Sequence, residues 1–153
     1  MHFAYLFNWV GRPWLTQRWS RAITDRYYGN GLANAYLGDE DQGQMSAWFV
    51  MTALGLFQTD GACRVDPIYE IGSPLYEKTV IHLGNRYGRG DTFTIEARHA
   101  SRRNQYVQRA TLNGEELSTF WFPARELLQG GTLILEMGPE PNKQWGLGPL
   151  PES

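Results

Sequence analysis

Gly38-Asp39-Glu40-Asp41-Gln42-Gly43-Gln44-Met45-Ser46-Ala47-Trp48 runs straight into Phe49-Val50-Met51-Thr52-Ala53-Leu54-Gly55-Leu56-Phe57, and the reading of this stretch decides the fold. Three carboxylates stand side by side on a glycine-bounded loop. Like charges this close repel unless a helix N-terminus, a metal or a reaction makes use of them. Two readings follow. Asp41 and Gln44 have the spacing of a capping box, with Asp in place of Ser or Thr, so that Asp41 caps a helix. Alternatively, the carboxylates project from the helix mouth and activate water or bind sugar hydroxyls. Chemistry alone favours the cap, because caps are common and catalytic carboxylates rare. The segment that follows, residues 42–57, is apolar nearly all round. A helix with no polar face must be buried on several sides.

Upstream, residues 13–28 read as an amphipathic helix. Leu15, Trp19, Ala22, Ile23 and Tyr27 recur mostly at spacings of three and four, with Arg18, Arg21, Asp25 and Arg26 largely elsewhere. Pro13 suits a first helical turn, and Gly29-Asn30-Gly31 stops the helix. Residues 3–10 fit either a further helix turn or an extended lead-in. Downstream of a boundary near residues 59–65 the period changes to two. Phe93, Ile95 and Ala97 alternate with Thr92, Thr94 and Glu96. Residues 79–83, 106–112 and 132–137 are further strands, and Asn113-Gly114 signals a type I′ hairpin returning through residues 115–120. Residues 123–128 read as one helix turn closed by Gly130-Gly131. Short strands separated by turn signals indicate an antiparallel sandwich.

The 153 residues suffice for one ordinary domain or two small ones. A formal net charge of −2 provides no basic field for nucleic acid or an anionic membrane. Cys63 stands alone, so no intrachain disulfide forms, and it reads as an inert small side chain. No apolar run reaches membrane-spanning length, and no basic region followed by an apolar core marks a signal peptide. His82 and His99 read as structural or solvated. The tail from Pro141-Asn142 to Trp145-Gly146 is expected to pack against the helices.

The acidic cluster followed by Gly43-Gln44-Met45-Ser46-Ala47-Trp48 resembles the most recognisable motif of glycoside hydrolase family 92, the calcium-dependent exo-acting alpha-mannosidases. His2, Tyr5-Leu6-Phe7-Asn8, Gly11, Pro13-Trp14 and Thr16-Gln17 resemble the stretch before that motif. Ala53-Leu54-Gly55-Leu56, Ile71-Gly72-Ser73-Pro74-Leu75, Thr111-Leu112-Asn113-Gly114, Gly130-Gly131-Thr132-Leu133 and Met137-Gly138-Pro139 fit the family in order after it.

The resemblance implies an α+β architecture. Residues 1–60 would be the last helices of an incomplete (α/α)6-type barrel, and residues 61–153 a C-terminal antiparallel β-sandwich. It also implies that the chain is a C-terminal fragment, since family members are several times longer. A Gly-Asn-Glu-Pro segment and the general-acid Glu belong upstream of His2 in the family pattern. Asp41 then corresponds to the general base and Asp39 to its partner in orienting water or substrate, while Glu40 between them is expected to point elsewhere into solvent. His2 and Gln44 are the candidate substrate-binding residues, and Trp48 shares the helix face of Gln44. No metal ligand is assigned. Calcium, implied as cofactor, is not expected to bind tightly to this chain. The implied partners are mannose-containing oligosaccharides or N-glycans and the rest of the parent enzyme, with self-association through exposed helix faces. The implied setting is secreted or periplasmic, and the isolated chain is expected to be inactive. A reading from another class remains beside it, a non-catalytic accessory β-sandwich that binds carbohydrate or a partner protein.

Overall fold

In the computed structural model, residues 2–31, 38, 40 and 42–152 are described. Three helices come first: α1 (Phe3–Trp9), α2 (Pro13–Tyr27) and α3 (Gln44–Leu54). They are followed by β1 (Leu56–Phe57), β2 (Ile68–Ile71), β3 (Lys78–His82), β4 (Thr92–Arg98), β5 (Tyr106–Leu112), β6 (Glu115–Glu116), β7 (Trp121–Pro123), α4 (Ala124–Gln129) and β8 (Gly131–Gly138). Residues 3–9 are thus helical. Among the described residues no helix is long and apolar enough to cross a membrane.

The strands form a three-stranded sheet in the order β1-β2-β7 and a five-stranded sheet in the order β3-β4-β8-β5-β6. Period-two burial explains the second sheet. Phe93, Ile95 and Ala97 of β4 point inward beside Leu133, Leu135 and Met137 of β8. Leu56, Ile71 and Phe122 from the first sheet join the same core. One pair departs from the antiparallel expectation, because β4 and β8 run parallel, Phe93 facing Gly131 and Arg98 facing Glu136. Asn113 and Gly114 adopt φ values of 53° and 88°, the double positive pair that a type I′ turn needs. The returning strand, however, is only Glu115–Glu116.

The apolar run of residues 42–57 splits at Gly55. Its φ of 80° ends α3 in a left-handed cap, and a Cβ there would run into the Pro74 ring. Leu56 and Phe57 then leave as β1 to pair with Ile71 and Glu70. Only the Trp48, Thr52 and Ala53 face of α3 is buried, and Val50 remains 54% exposed.

α2 is turned the opposite way from an ordinary amphipathic helix. It buries Thr16, Gln17, Ser20, Arg21 and Thr24, while Trp19 and Tyr27 are exposed. Each of the longer buried side chains reaches a specific partner. The Val107 amide donates to Gln17 Oε1 at 3.1 Å, and Arg21 donates to the Ser73 hydroxyl at 2.9 Å and to the Pro74 carbonyl. Ser73 in turn donates to the Gln105 carbonyl. Hydrogen bonds rather than an apolar stripe therefore fasten α2 to the sheets.

The tail packs as expected against the helices, and also enters the sheet core. Trp145 is buried there and donates to the Leu117 carbonyl, while Lys143 lies over the Trp14 ring.

Candidate functional site at the mouth of helix α3

Gly43 is the N-cap residue of α3 and has no side chain to satisfy the first-turn amides. Glu40 supplies what is missing. The Met45 amide donates to its Oε1 at 3.2 Å, the Ser46 amide to Oε2 at 2.9 Å, and the Ser46 hydroxyl to Oε1 at 3.1 Å. Its carbonyl accepts from the Gly43 amide. Glu40 is thus committed to the helix rather than pointing free into solvent, which corrects the expectation for this residue. The carboxylate also suits the positive end of the helix dipole. The cap and catalytic roles expected of Asp41, and the role expected of Asp39, fall on residues outside those described.

Tyr28 secures the other side of the same turn. Its hydroxyl donates to the Met45 carbonyl at 2.9 Å, and its ring stacks on Trp48 at 5.6 Å and on Phe49 at 5.0 Å. Burial, reinforced by the nearby Glu40 charge, pushes the Tyr28 phenol up to about 12. It stays protonated and a donor through the physiological range.

A chain of rings extends from there. Trp48 meets Tyr5 edge-on at 6.5 Å, Tyr5 stacks on Phe57 at 4.5 Å, and the His2 ring meets Phe57 edge-on at 5.2 Å. His2 is exposed at the start of α1, and Gln44 is exposed at the first position of α3. Among the described residues no hydrogen bond joins the two; the aromatic row runs from His2 to Trp48, one helical turn beyond Gln44. Trp48 faces the core, and its indole N–H has no acceptor among the described residues.

Sequence reasoning missed a buried carboxylate. Glu70 on β2 is fully buried, accepting from Asn8 Nδ2 at 2.9 Å, from the Thr59 amide at 3.2 Å and from the Thr59 hydroxyl. Trp9 donates to that same hydroxyl. Burial raises the Glu70 pKa, and the hydrogen bonds from Thr59, Asn8 and Trp9 only partly offset it. A signal was present: Glu70 stands two residues from Ile68, on the inward side of the strand.

Calcium takes about six to eight oxygen ligands. Among the described residues no group of three or more His, Cys, Asp or Glu side chains could hold a metal ion, and Glu40 is already engaged. The described residues therefore do not by themselves make a calcium site. A groove of about 530 Å³ lies elsewhere, between β6 and β7, lined by Glu115, Glu116, Trp121 and Glu126 among others. Neither His2 nor Gln44 lines it.

With this geometry established, likeness to known proteins carries weight. Residues 1–139 match the model of the glycosyl hydrolase family 92 catalytic domain. The chain belongs to glycosyl hydrolase family 92. A family 92 inverting mannosidase of Bacteroides thetaiotaomicron is similar over 97% of this chain and 19% of its own, with 39% identity and a TM-score of 0.84. A family 92 alpha-mannosidase of the same organism, solved with mannoimidazole, is similar over 96% of this chain and 18% of its own, at 32% identity and a TM-score of 0.85. A protein of Arthroderma benhamiae described as an uncharacterized secreted glycosidase is 32% identical over 147 residues, 94% of this chain and 18% of that protein. This family 92 chain thus spans about a fifth of the length of these relatives.

Proposed function

We propose that this chain is the C-terminal part of an exo-acting alpha-mannosidase that hydrolyses alpha-mannosides, such as alpha-1,2-mannosides of oligosaccharides or N-glycans, with inversion. The observation that carries the reading is the 39% identity and 0.84 TM-score to an inverting mannosidase over nearly the whole chain. In an inverting glycosidase one carboxylate takes a proton from water while a carboxylic acid protonates the leaving oxygen from the other face of the sugar, the two standing roughly 6.5–9.5 Å apart. Asp41 is the base in this reading, and Asp39 helps to orient the water or the sugar. A base must be ionised, and the N-terminus of α3 favours its anion. His2 and Gln44 bind sugar hydroxyls.

The acid and the calcium ligands belong to the part of the enzyme upstream, so the isolated chain is inactive and holds calcium weakly at most. Residues 1–60 are the closing helices of an (α/α)6 barrel, and residues 61–153 a sandwich-like domain. The outward apolar residues of α1 and α2, with Phe3 79% and Trp19 43% exposed, support neighbouring helices beyond this chain. A secreted or periplasmic location goes with this reading.

The test is Asp41→Asn in the full-length enzyme, assayed on an alpha-mannobioside. Loss of a general base lowers kcat by about 10²- to 10⁴-fold. An unchanged kcat removes Asp41 from the mechanism. Mannose release by the isolated chain with calcium would overturn its proposed inactivity.

A further inference from the structure

We infer that Glu40 is a positioning residue of the mannosidase site: it locks the acidic loop onto the first turn of α3 and thereby sets where its two aspartate neighbours act. The inference rests on the reading of Asp39 and Asp41 just given. Its own support is the geometry of residue 40. A helix that begins with glycine at the N-cap leaves its first amides without a local acceptor. Glu40 reaches forward five and six residues to take two of them, and adds the Ser46 hydroxyl. Its backbone is held as well, through its carbonyl and the Gly43 amide. To do this it adopts φ 58°, a left-handed conformation that a residue with a Cβ rarely takes. Such a conformation persists where the surroundings over-determine it, and residues of this kind gather at working sites.

The turn to which Glu40 is tied is itself fixed. Tyr28 holds the Met45 carbonyl from the side opposite the amide that Glu40 holds, and its ring is wedged against Trp48 and Phe49. Trp48 is 1% exposed and anchors this group in the core. Position therefore passes from the aromatic core through α3 to residue 40. Each aspartate is its immediate neighbour in the sequence. A catalytic base displaced by about 1 Å can lose on the order of 100-fold in rate. The middle acid of the triplet accordingly serves by giving up its own freedom, leaving its neighbours to do the chemistry.

Two variants in the full-length enzyme test this, Glu40→Ala and Glu40→Gln. Gln keeps an oxygen for the Met45 amide and the Ser46 hydroxyl but presents an NH2 group to the Ser46 amide. Glu40→Ala is expected to lower kcat on an alpha-mannobioside by about 100-fold, with Glu40→Gln recovering part of the loss. KM should stay within about threefold, since a displaced base weakens the transition state rather than ground-state binding. Hydrogen exchange at the Met45 and Ser46 amides should quicken in the same order, measured well below both melting midpoints. The inference is overturned if those amides quicken while kcat stays at the wild-type level, if KM alone changes, or if exchange is unaltered. An Asp41→Asn enzyme of unchanged kcat would instead overturn the underlying reading, whatever Glu40→Ala does.

Discussion

The β layer and helix α2 bury opposite kinds of residue. In β4 and β8 the inward positions are Phe93, Ile95, Leu133 and Leu135, and the outward ones Thr94, Glu96, Thr132 and Glu136. In α2 the inward positions are Thr16, Gln17, Ser20, Arg21 and Thr24, and Trp19 and Tyr27 lie outside. The sheets obtain their cohesion from removing apolar area from water. Helix α2 is fastened to them by directed hydrogen bonds and leaves its own apolar residues Trp19 and Tyr27 exposed. In the proposed reading, the exposed side of α2 faces a neighbouring helix beyond this chain. The comparison teaches that periodicity reveals the existence of an apolar face but not which neighbour it was made for.

The largest test of this contrast sets Phe93→Ala against Trp19→Ser. Phe93 is completely buried between the sheets, so its truncation should cost about 3–5 kcal/mol in the denaturation midpoint of the isolated chain. Trp19 is 43% exposed, and its replacement should stay within about 0.5 kcal/mol there. The outward stripe should also drive the isolated chain to self-associate, and Trp19→Ser should weaken that association in light scattering. In the full-length enzyme the Trp19→Ser cost should rise several-fold. Equal costs in the two contexts, or a clean monomer of the unaltered chain, would break the idea that α2 faces a missing neighbour.

The same contrast explains what could be read from the sequence. β4, β5, α4 and the Asn113-Gly114 turn were legible because their signals are local: alternation over seven residues, a helix turn closed by glycine, a dipeptide suited to positive φ. β1, β2 and β7 were not, since strands of two to four residues are too short to show a period. The α2 helix was legible, but its orientation was not, because Gln17 and Arg21 are buried by partners 90 and 52 residues away. At the site, the motif located the mouth of α3, yet nothing local marked Glu40 as its cap. A side chain reaching five and six residues forward from a left-handed backbone follows no capping rule. Asp39 and Asp41, the candidates read most directly from the motif, lie outside the described residues.

A smaller effect sharpens the comparison within α2 itself. Arg21→Ala removes a charged donor from the Ser73 hydroxyl and the Pro74 carbonyl and should cost about 1.5–3 kcal/mol, the range for hydrogen bonds to charged groups. Arg18→Ala, on the exposed side of the same helix, should lie within about 0.5 kcal/mol of the parent. Equal effects of the two, measured by urea denaturation, would remove the claim that polar anchors rather than surface charge hold the helix in place.

The smallest expected effect concerns Glu70, where the two layers meet through Asn8 of α1 and Thr59 beyond β1. Burial raises its folded-state pKa above the ordinary value of 4.5. Below that ordinary value both the folded and unfolded chains carry the proton. Between it and the raised value the folded chain holds a proton that the unfolded chain has lost, so this group's contribution to stability falls as pH rises through that window and is flat above it. The readout is the difference between parent and Glu70→Gln, which isolates this one group. That difference in melting temperature should shift in favour of Glu70→Gln as pH rises through the window. Gln fits the site for a stereochemical reason. The Asn8 amide oxygen has no partner in its present orientation. Were that amide turned over, the oxygen would accept from the Gln NH2 group just as it would from a protonated Glu70. A parent-minus-variant difference that does not change with pH would mean that the hydrogen bonds from Asn8 and Thr59 fully offset the desolvation of the Glu70 carboxylate.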